Sequence, residues 1–244
     1  SKLLILRDIS IESLDDYLNA NILDTFPDPF KLIDMEKAIN RVIEGIINNN
    51  TFGIIADYDV DGSTSAAILF KFLRNFTSKI SLNIPHRLNE GFGPNIRIMD
   101  EMLNAKVDIV FALDCGTSAF NILDNKKYNN IDVIVIDHHL SESNLPKVHS
   151  IINPNRFDEN NNYTDLAAVG VTFLFLMGLR KKLRNGEFFE NKREPNILSY
   201  LDLVALGTVC DVVKLTDYNR KIVKKGLELI KQRHNKNISK IIDN

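Results

Sequence analysis

The sequence predicts an α/β fold: a doubly wound, mainly parallel sheet with flanking helices and a helical C-terminal third. Three observations carry that expectation. Four short runs, 52–56 (FGIIA), 80–84 (ISLNI), 107–113 (VDIVFAL) and 131–136 (IDVIVI), are near-continuous apolar strings, as strands buried on both faces of a parallel sheet are. Helical patterns at about 62–76, 94–105 and 118–128 alternate with them, the β-α-β series that right-handed crossovers close into one sheet. Three of the runs end in acidic residues, and ligands of open parallel sheets bind beyond the carboxyl ends of the strands.

In chain order, residues 1–31 form an N-terminal lead-in with short helical patterns, broken by Pro27–Asp28–Pro29. Residues 32–244 are expected to form one catalytic domain. Its first helix is LIDMEKAINRVIEGIIN (32–48), where apolar positions recur at helical spacing. After the fourth strand a short strand is expected near 149–152, then helices at about 166–184, 195–206 and 217–232. Asn160–Asn162 and 185–195 read as loops. No internal repeat or low-complexity segment is evident.

Composition sets bounds. The 244 residues are 44% hydrophobic and 25% charged, as in an ordinary globular protein. No run approaches the ~18 apolar residues of a membrane helix, and SKLLILRDISIESLDDYL is too acidic for a secretory signal, so a cytoplasmic location is the default. Two cysteines, Cys115 and Cys210, suggest small buried residues rather than a disulfide framework. A net charge of −2 gives no support to nucleic-acid binding. The basic runs at Arg180–Arg184 and Lys221–Lys225 read as solvated helix faces. His86, His149 and His234 read as lone surface or satisfied histidines.

The chemistry gathers at segment ends. The first strand leads into Asp57–Tyr58–Asp59–Val60–Asp61–Gly62, the third into Asp114–Cys115–Gly116 and the fourth into Asp137–His138–His139. A later apolar segment, LDLVALGTVC, ends at Asp211. Treated as four strand ends, these bring six aspartates and two histidines to one rim of the sheet. One aspartate in such a place is ordinarily a helix cap; four such ends point to more. Like charges held together disfavour mutual ionisation, and divalent cations resolve that conflict. Carboxylates suit Mg²⁺ or Mn²⁺, and the number of ligands suits two ions sharing a carboxylate. Asp137 could instead orient a histidine from behind. The helix after Asp61 would take Ser63 or Thr64 as its cap.

These segments resemble a known family. ADYDVDGSTSAA (56–67), ALDCGTS (112–118), VIDHHL (135–140) and DLVALGTVCDVV (202–213) are similar in order and spacing to the motifs of the DHH phosphoesterase superfamily. IPHRLNEGFGPN (84–95), INPNR (152–156), LAAVGVTF (166–173) and NRKIVKKGLELI (219–230) look like RecJ-type single-strand-specific exonucleases within it. The resemblance implies two-metal phosphodiester hydrolysis with Mn²⁺ or Mg²⁺, 5′→3′ on single-stranded DNA, in DNA repair and recombination. It also implies a single-strand-binding protein and a helicase as partners.

By the same resemblance Asp57, Asp59, Asp61, Asp114, His138 and Asp211 would be metal ligands, with Asp114 bridging. His139 would act at the substrate phosphate as ligand, donor or general acid. Arg87, Gly91 and Gly93 would hold phosphate, with Asn219 and Arg220 as weaker candidates. Ala56 and Lys214 depart from the family's usual Gly and Pro. The family's DHH-associated and oligonucleotide-binding domains are not found in these 244 residues, so the chain is expected to be the catalytic half. Three alternatives stand beside this reading. They are another DHH enzyme (an oligonucleotide or cyclic-dinucleotide phosphodiesterase, or a pyrophosphatase), a dehalogenase-type phosphatase with Asp57 as nucleophile, and a non-catalytic metal- and nucleotide-binding module.

Overall fold

The apolar runs form five strands: β1 Phe52–Ala56, β2 Ile80–Asn83, β3 Ile109–Leu113, β4 Asp132–Ile136 and β5 Ser150–Ile152. All pair in parallel, in the order β2-β1-β3-β4-β5. The computed structural model describes residues 26–243 together with Leu4, Leu6, Ser10, Glu12, Leu14 and Tyr17. The rest of the lead-in, with its expected short helices, lies outside the described residues. Because β2 and β3 flank β1 on opposite sides, the winding direction reverses between β1 and β3. Doubly wound sheets open a crevice at that switch point.

Seven longer helices accompany the sheet: α1 Met35–Ile47, α2 Val60–Leu73, α3 Ile96–Asn104, α4 Ala168–Asn185, α5 Leu201–Cys210, α6 Asp217–Lys231 and α7 Lys236–Asp243. Strand side chains alternate between two cores. Ile54, Phe111 and Ile134 join residues of α1, α2, α4 and α5 in the larger core, where Phe52, Phe72, Phe173 and Phe175 are fully buried. Ile55, Val110 and Val135 face Ile98, Met99 and Met102 of α3 in the smaller one. That three-layer burial is why the strands read as unbroken apolar strings.

Several boundaries differ from expectation, each for a local reason. The stretch 118–128 is not one helix but a turn at Phe120–Leu123 and a 3₁₀ turn at Lys126–Tyr128. Asp124 turns outward to accept from Lys147 N at 2.7 Å, and Asn125 caps the second turn. The 195–206 stretch becomes a 3₁₀ turn, Ile197–Tyr200, followed by α5. LDLVALGTVC is therefore helix, and Asp211 reaches the rim from a helix end rather than from a strand. α2 starts at Val60, with Asp59 as its cap accepting from Gly62 N at 2.9 Å. Thr64 instead donates back to Val60 O at 2.7 Å. No helix among the described residues is long and apolar enough to cross a membrane.

Candidate metal centre

Register builds the centre. The last residues of the strands are aligned as Ala56↔Leu113↔Ile136↔Ile152. Each ladder then continues one step: Asp57 N donates to Leu113 O (3.1 Å), Asp114 N to Ile136 O (2.9 Å) and Asp137 N to Ile152 O (3.1 Å). Asp57, Asp114, Asp137 and Asn153 thus stand in one row across the edge, at the ~4.8 Å strand spacing. Asp114 adopts φ 58° and is 2% exposed, a left-handed backbone that a buried residue holds only where its surroundings impose it.

The loop after β1 adds Asp59 and Asp61. Asp61 is 1% exposed, and its carboxylate accepts from Ala168 N (2.6 Å) and Val169 N (2.8 Å) at the start of α4. That fixes it while satisfying the helix N-terminus. Two glycines make the arrangement possible. A Cβ on Gly62 would lie 2.5 Å from Asp57 O, and one on Gly207 would lie 2.3 Å from Thr64 Oγ1 and 3.3 Å from Asp61 Oδ1. Without side chains there, α5 packs against α2 closely enough to bring Asp211 in. Val212, just after it, holds φ 61° while 86% exposed, a rare conformation for a β-branched residue.

The side chains converge on His138. Its Nε2 lies 3.4 Å from Asp114 Oδ1, 3.6 Å from Asp211 Oδ2 and 3.8 Å from Asp61 Oδ2. His138 Nε2, Asp114 Oδ1 and Asp211 Oδ2 are all buried with no hydrogen-bond partner. Buried polar atoms are rarely left so. Ligands about 2.0–2.2 Å from a shared ion stand about 3–4 Å apart, so these atoms fit a divalent cation. Three overlapping groups have the proximity for ions: Asp61–His138–Asp211, Asp114–His138–His139 and Asp57–Asp59–Asp114.

Protonation tells the same story. Burial first, then repulsion from Asp114, pushes the Asp61 carboxyl up to about 8. Burial and Asp59 push Asp114 up to about 9. Asp57 and Asp211 are also raised, chiefly by burial. Burial and mutual repulsion thus disfavour ionisation of this cluster, a cost that a divalent cation would offset.

Asp137 behaves differently. Burial opposes its ionisation, yet hydrogen bonds from His139 and Thr117 prevail and hold its carboxyl down at about 2. Its Oδ1 accepts from His138 N (2.8 Å) and pairs with His139 Nδ1 (2.7 Å), and Oδ2 accepts from Thr117 N (3.1 Å). His139 is raised to about 9 by that bond, which leaves Nε2 as the ring nitrogen available to a substrate. Sequence reasoning gave no role to Asn153 and Asn155 of INPNR. Asn153 is fully buried and donates to His139 O (2.8 Å) and Thr117 Oγ1 (3.0 Å), while Asn155 donates to His138 O (2.6 Å). Both backbone carbonyls of the His-His pair are thereby clamped. An asparagine in register with three aspartates was the available signal.

The anion-binding candidates divide into two groups. Arg87 is exposed and lies 4.9 Å over the Tyr58 ring, next to Asp57 and Asp59. Gly91 and Gly93 both adopt φ 75° in the same loop, and Gly93 lines a cavity with Asp57, Asp114 and His139. Asn219 and Arg220 are not brought to that cavity. Asn219 is 2% exposed and donates to Asp165 O and Lys214 O, and Arg220 stacks 3.9 Å from the Tyr17 ring centroid. Cys115 is buried, and burial pushes its thiol well up, whereas Cys210 is exposed, contrary to expectation. In the Arg180–Arg184 run, Arg180 and Arg184 pair with Glu194 and Lys182 with Glu36, while Lys181 lies over the Phe30 ring. Among the described residues, His86, His149 and His234 join none of the metal-sized groups.

The chain is similar to known proteins in sequence and in fold. Residues 51–208 match the model of the DHH family, N-terminal domain. The chain is 34% identical over 213 residues to the single-stranded-DNA-specific exonuclease RecJ of Haemophilus influenzae, covering 87% of this chain and 37% of that protein. A crystal structure of exonuclease RecJ bound to manganese superposes with a TM-score of 0.70 at 31% identity, covering 81% of this chain and 48% of that one. RecJ of Thermus thermophilus in complex with Mn²⁺ gives a TM-score of 0.70 at 27% identity over 93% of this chain and 30% of that one. The chain therefore spans between about a third and a half of the length of these relatives. The dehalogenase-type reading of Asp57 gives way to this match.

Proposed function

This chain belongs to the DHH family, and from that premise we propose that residues 32–244 carry the catalytic centre of a two-metal exonuclease acting on single-stranded DNA, like the RecJ proteins it matches. The observation that carries the reading is the trio of buried, unpartnered atoms, Asp114 Oδ1, Asp211 Oδ2 and His138 Nε2, with both oxygens within 3.6 Å of the nitrogen. In this reading His138, Asp211 and Asp61 would hold one Mn²⁺ or Mg²⁺ ion and Asp57 and Asp59 the other, with Asp114 shared between them. When bound, such ions lower the pKa of water towards neutrality and offset charge on the phosphoryl oxygens.

The remaining work falls to the chain. His139, oriented by Asp137, donates to a phosphate or leaving oxygen through Nε2. Arg87, braced on Tyr58, binds a non-bridging oxygen, and the Gly91–Gly93 loop lets backbone amides approach the same anion. Asn153 and Asn155 keep both histidines in place. The cations and Arg87 together reconcile a net charge of −2 with a polyanionic substrate.

The test is Mn²⁺-dependent digestion of 5′-labelled single-stranded DNA, with a dinucleotide and inorganic pyrophosphate run in parallel. Release of mononucleotides that stops on chelation and in Asp114→Ala is expected. Pyrophosphate or dinucleotide hydrolysis without DNA digestion would assign another DHH activity. Bound Mn²⁺ with no turnover of any substrate would leave a binding module instead.

A further inference from the structure

The three side chains placed together at one ion in the proposed reading, His138, Asp211 and Asp61, come from distant parts of the chain. One short segment, 164–169 at the start of α4, is bonded to all three parts. Its Ala168 N and Val169 N donate to the Asp61 carboxylate at 2.6 and 2.8 Å. Its Thr164 O accepts from Asn155 Nδ2 (3.1 Å), the same amide that donates to His138 O (2.6 Å). Its Asp165 O accepts from Asn219 Nδ2, which also donates to Lys214 O (2.9 Å), three residues past Asp211. The carboxylates of Asp57 and Asp59 lean on a different support, Tyr58 N and Gly62 N of their own turn.

Asn219 is the third residue of α6 and is buried. Both N–H bonds of its amide are spent on backbone carbonyls, so it has no donor left for a phosphate. An asparagine amide carries two donors in one plane, which a hydroxyl or an ionised carboxylate cannot copy. The stretch that it holds is strained. Val212 keeps φ 61° in the open, a conformation that lasts only where the surroundings impose it. Other links between this stretch and Asp165 are exposed: Lys214 Nζ lies 3.6 Å and Thr216 Oγ1 3.3 Å from the Asp165 carboxylate. Surface contacts of that kind contribute little. The buried amide is the firm one.

We propose that Asn219 is a positioning residue for one of the two ions: it ties the Asp211 segment to the segment that fixes Asp61 and steadies His138. The three ligands then keep their mutual spacing before a cation arrives, which is what outer partners of metal ligands do. The inference rests on the two-metal reading and divides it. The ion at His138, Asp211 and Asp61 depends on the buried amide; the ion at Asp57 and Asp59 does not. Asn219 itself belongs to none of the metal-sized groups and does not line the cavity beside them.

Calorimetric titration with Mn²⁺ alone tests it on the parent, Asn219→Ala and Ile222→Ala. Ile222 is a buried core residue of the same helix, so its truncation loosens α6 without cutting the amide link. The parent should bind two ions. In Asn219→Ala one of them should weaken roughly 10- to 100-fold and the other stay unchanged, whereas Ile222→Ala should lose Tm and keep both affinities. Digestion of single-stranded DNA by Asn219→Ala should recover at saturating Mn²⁺ with the parent's KM. Unchanged affinities, or equal losses in Asn219→Ala and Ile222→Ala, overturn the proposal, and so does a raised KM at saturating Mn²⁺. A parent that binds fewer than two ions refutes the two-metal reading, and the division falls with it. A parent that binds two ions and digests nothing fails the exonuclease reading alone, and calorimetry still decides. If Asn219→Ala does not fold, hydrogen exchange of the parent takes its place. Mn²⁺ should slow the amides of 164–169 and 211–216 together, and slowing at only one segment, or at neither, sinks the link.

Discussion

The two edges of the sheet use the same residue type to opposite ends. At the amino edge every prominent aspartate has a protein partner. Asp132 pairs with Arg41 at 2.6 Å, Asp108 accepts from Thr51 N at 2.7 Å, and Asp34 accepts from Ile151 N and pairs with Arg156, both at 3.0 Å. At the carboxyl edge Asp57, Asp59, Asp61, Asp114 and Asp211 gather with no lysine or arginine paired to them among the described residues, and Asp114 and Asp211 keep buried oxygens unbonded. The difference teaches that an acidic cluster is informative through what is missing from it. One edge is finished by its own partners; in the proposed reading the other is finished by a cation from outside.

The sharpest way to break the comparison is to remove the bridging candidate. Mn²⁺ at about 100 times its Kd should stabilise the chain by about 2.7 kcal/mol, a rise of roughly 5–11 °C in Tm for a chain of this size. Asp114→Ala should abolish that rise and the digestion of DNA. A mutant that responds to Mn²⁺ like the parent would refute the bridging role.

Next in size is the effect of pH. Asp61 and Asp114 sit at about 8 and about 9 against ordinary values of 3.8, so between those limits the folded, metal-free chain binds more protons than the unfolded one. Their contribution to stability therefore falls as pH rises from about 4 to about 9. Asp114→Asn should accordingly gain in Tm over the metal-free parent, and the gain should widen between pH 5 and pH 9. A gain that is flat or shrinking with pH would contradict the burial and repulsion at this edge. With saturating Mn²⁺ the parent should overtake the mutant.

Asn155→Ala probes the support behind the proposed ligands. Loss of its bond to His138 O should weaken Mn²⁺ binding about 10- to 100-fold, as removal of outer partners of metal ligands does. Calorimetric titration reads this directly, and unchanged affinity would make the clamp merely structural. The smallest effect belongs to the amino edge. Arg41→Ala should cost about 1 kcal/mol or less, since the Asp132 partner is 43% exposed, and should leave the Mn²⁺-induced rise in Tm intact.

Much of this was legible in the sequence because strand ends and burial leave strong marks. FGIIA, VDIVFAL and IDVIVI could hardly be other than doubly buried strands, and each delivers its aspartate at a predictable edge. The helix LDLVALGTVC was harder to read, since a mainly apolar run buried along most of its length has no clear period to separate helix from strand. Asp211 was found by its neighbours, not by its secondary structure. The cap of α2 went to Asp59 because a carboxylate three residues before Gly62 reaches its amide better than Ser63 or Thr64. Asn153 left only its register with the three aspartates as a signal, and Asn155 left none, for their roles depend on contacts between distant segments.

The central claim is that the carboxyl edge is a divalent cation centre organised around Asp114. Crystals soaked in Mn²⁺ and measured for anomalous scattering test it most directly. The account predicts two peaks flanking Asp114, one touching His138, Asp211 and Asp61 and the other touching Asp57 and Asp59, at ligand distances of about 2.0–2.3 Å. A soaked crystal with no peak at Asp114, or with Mn²⁺ bound only at other carboxylates, would contradict it.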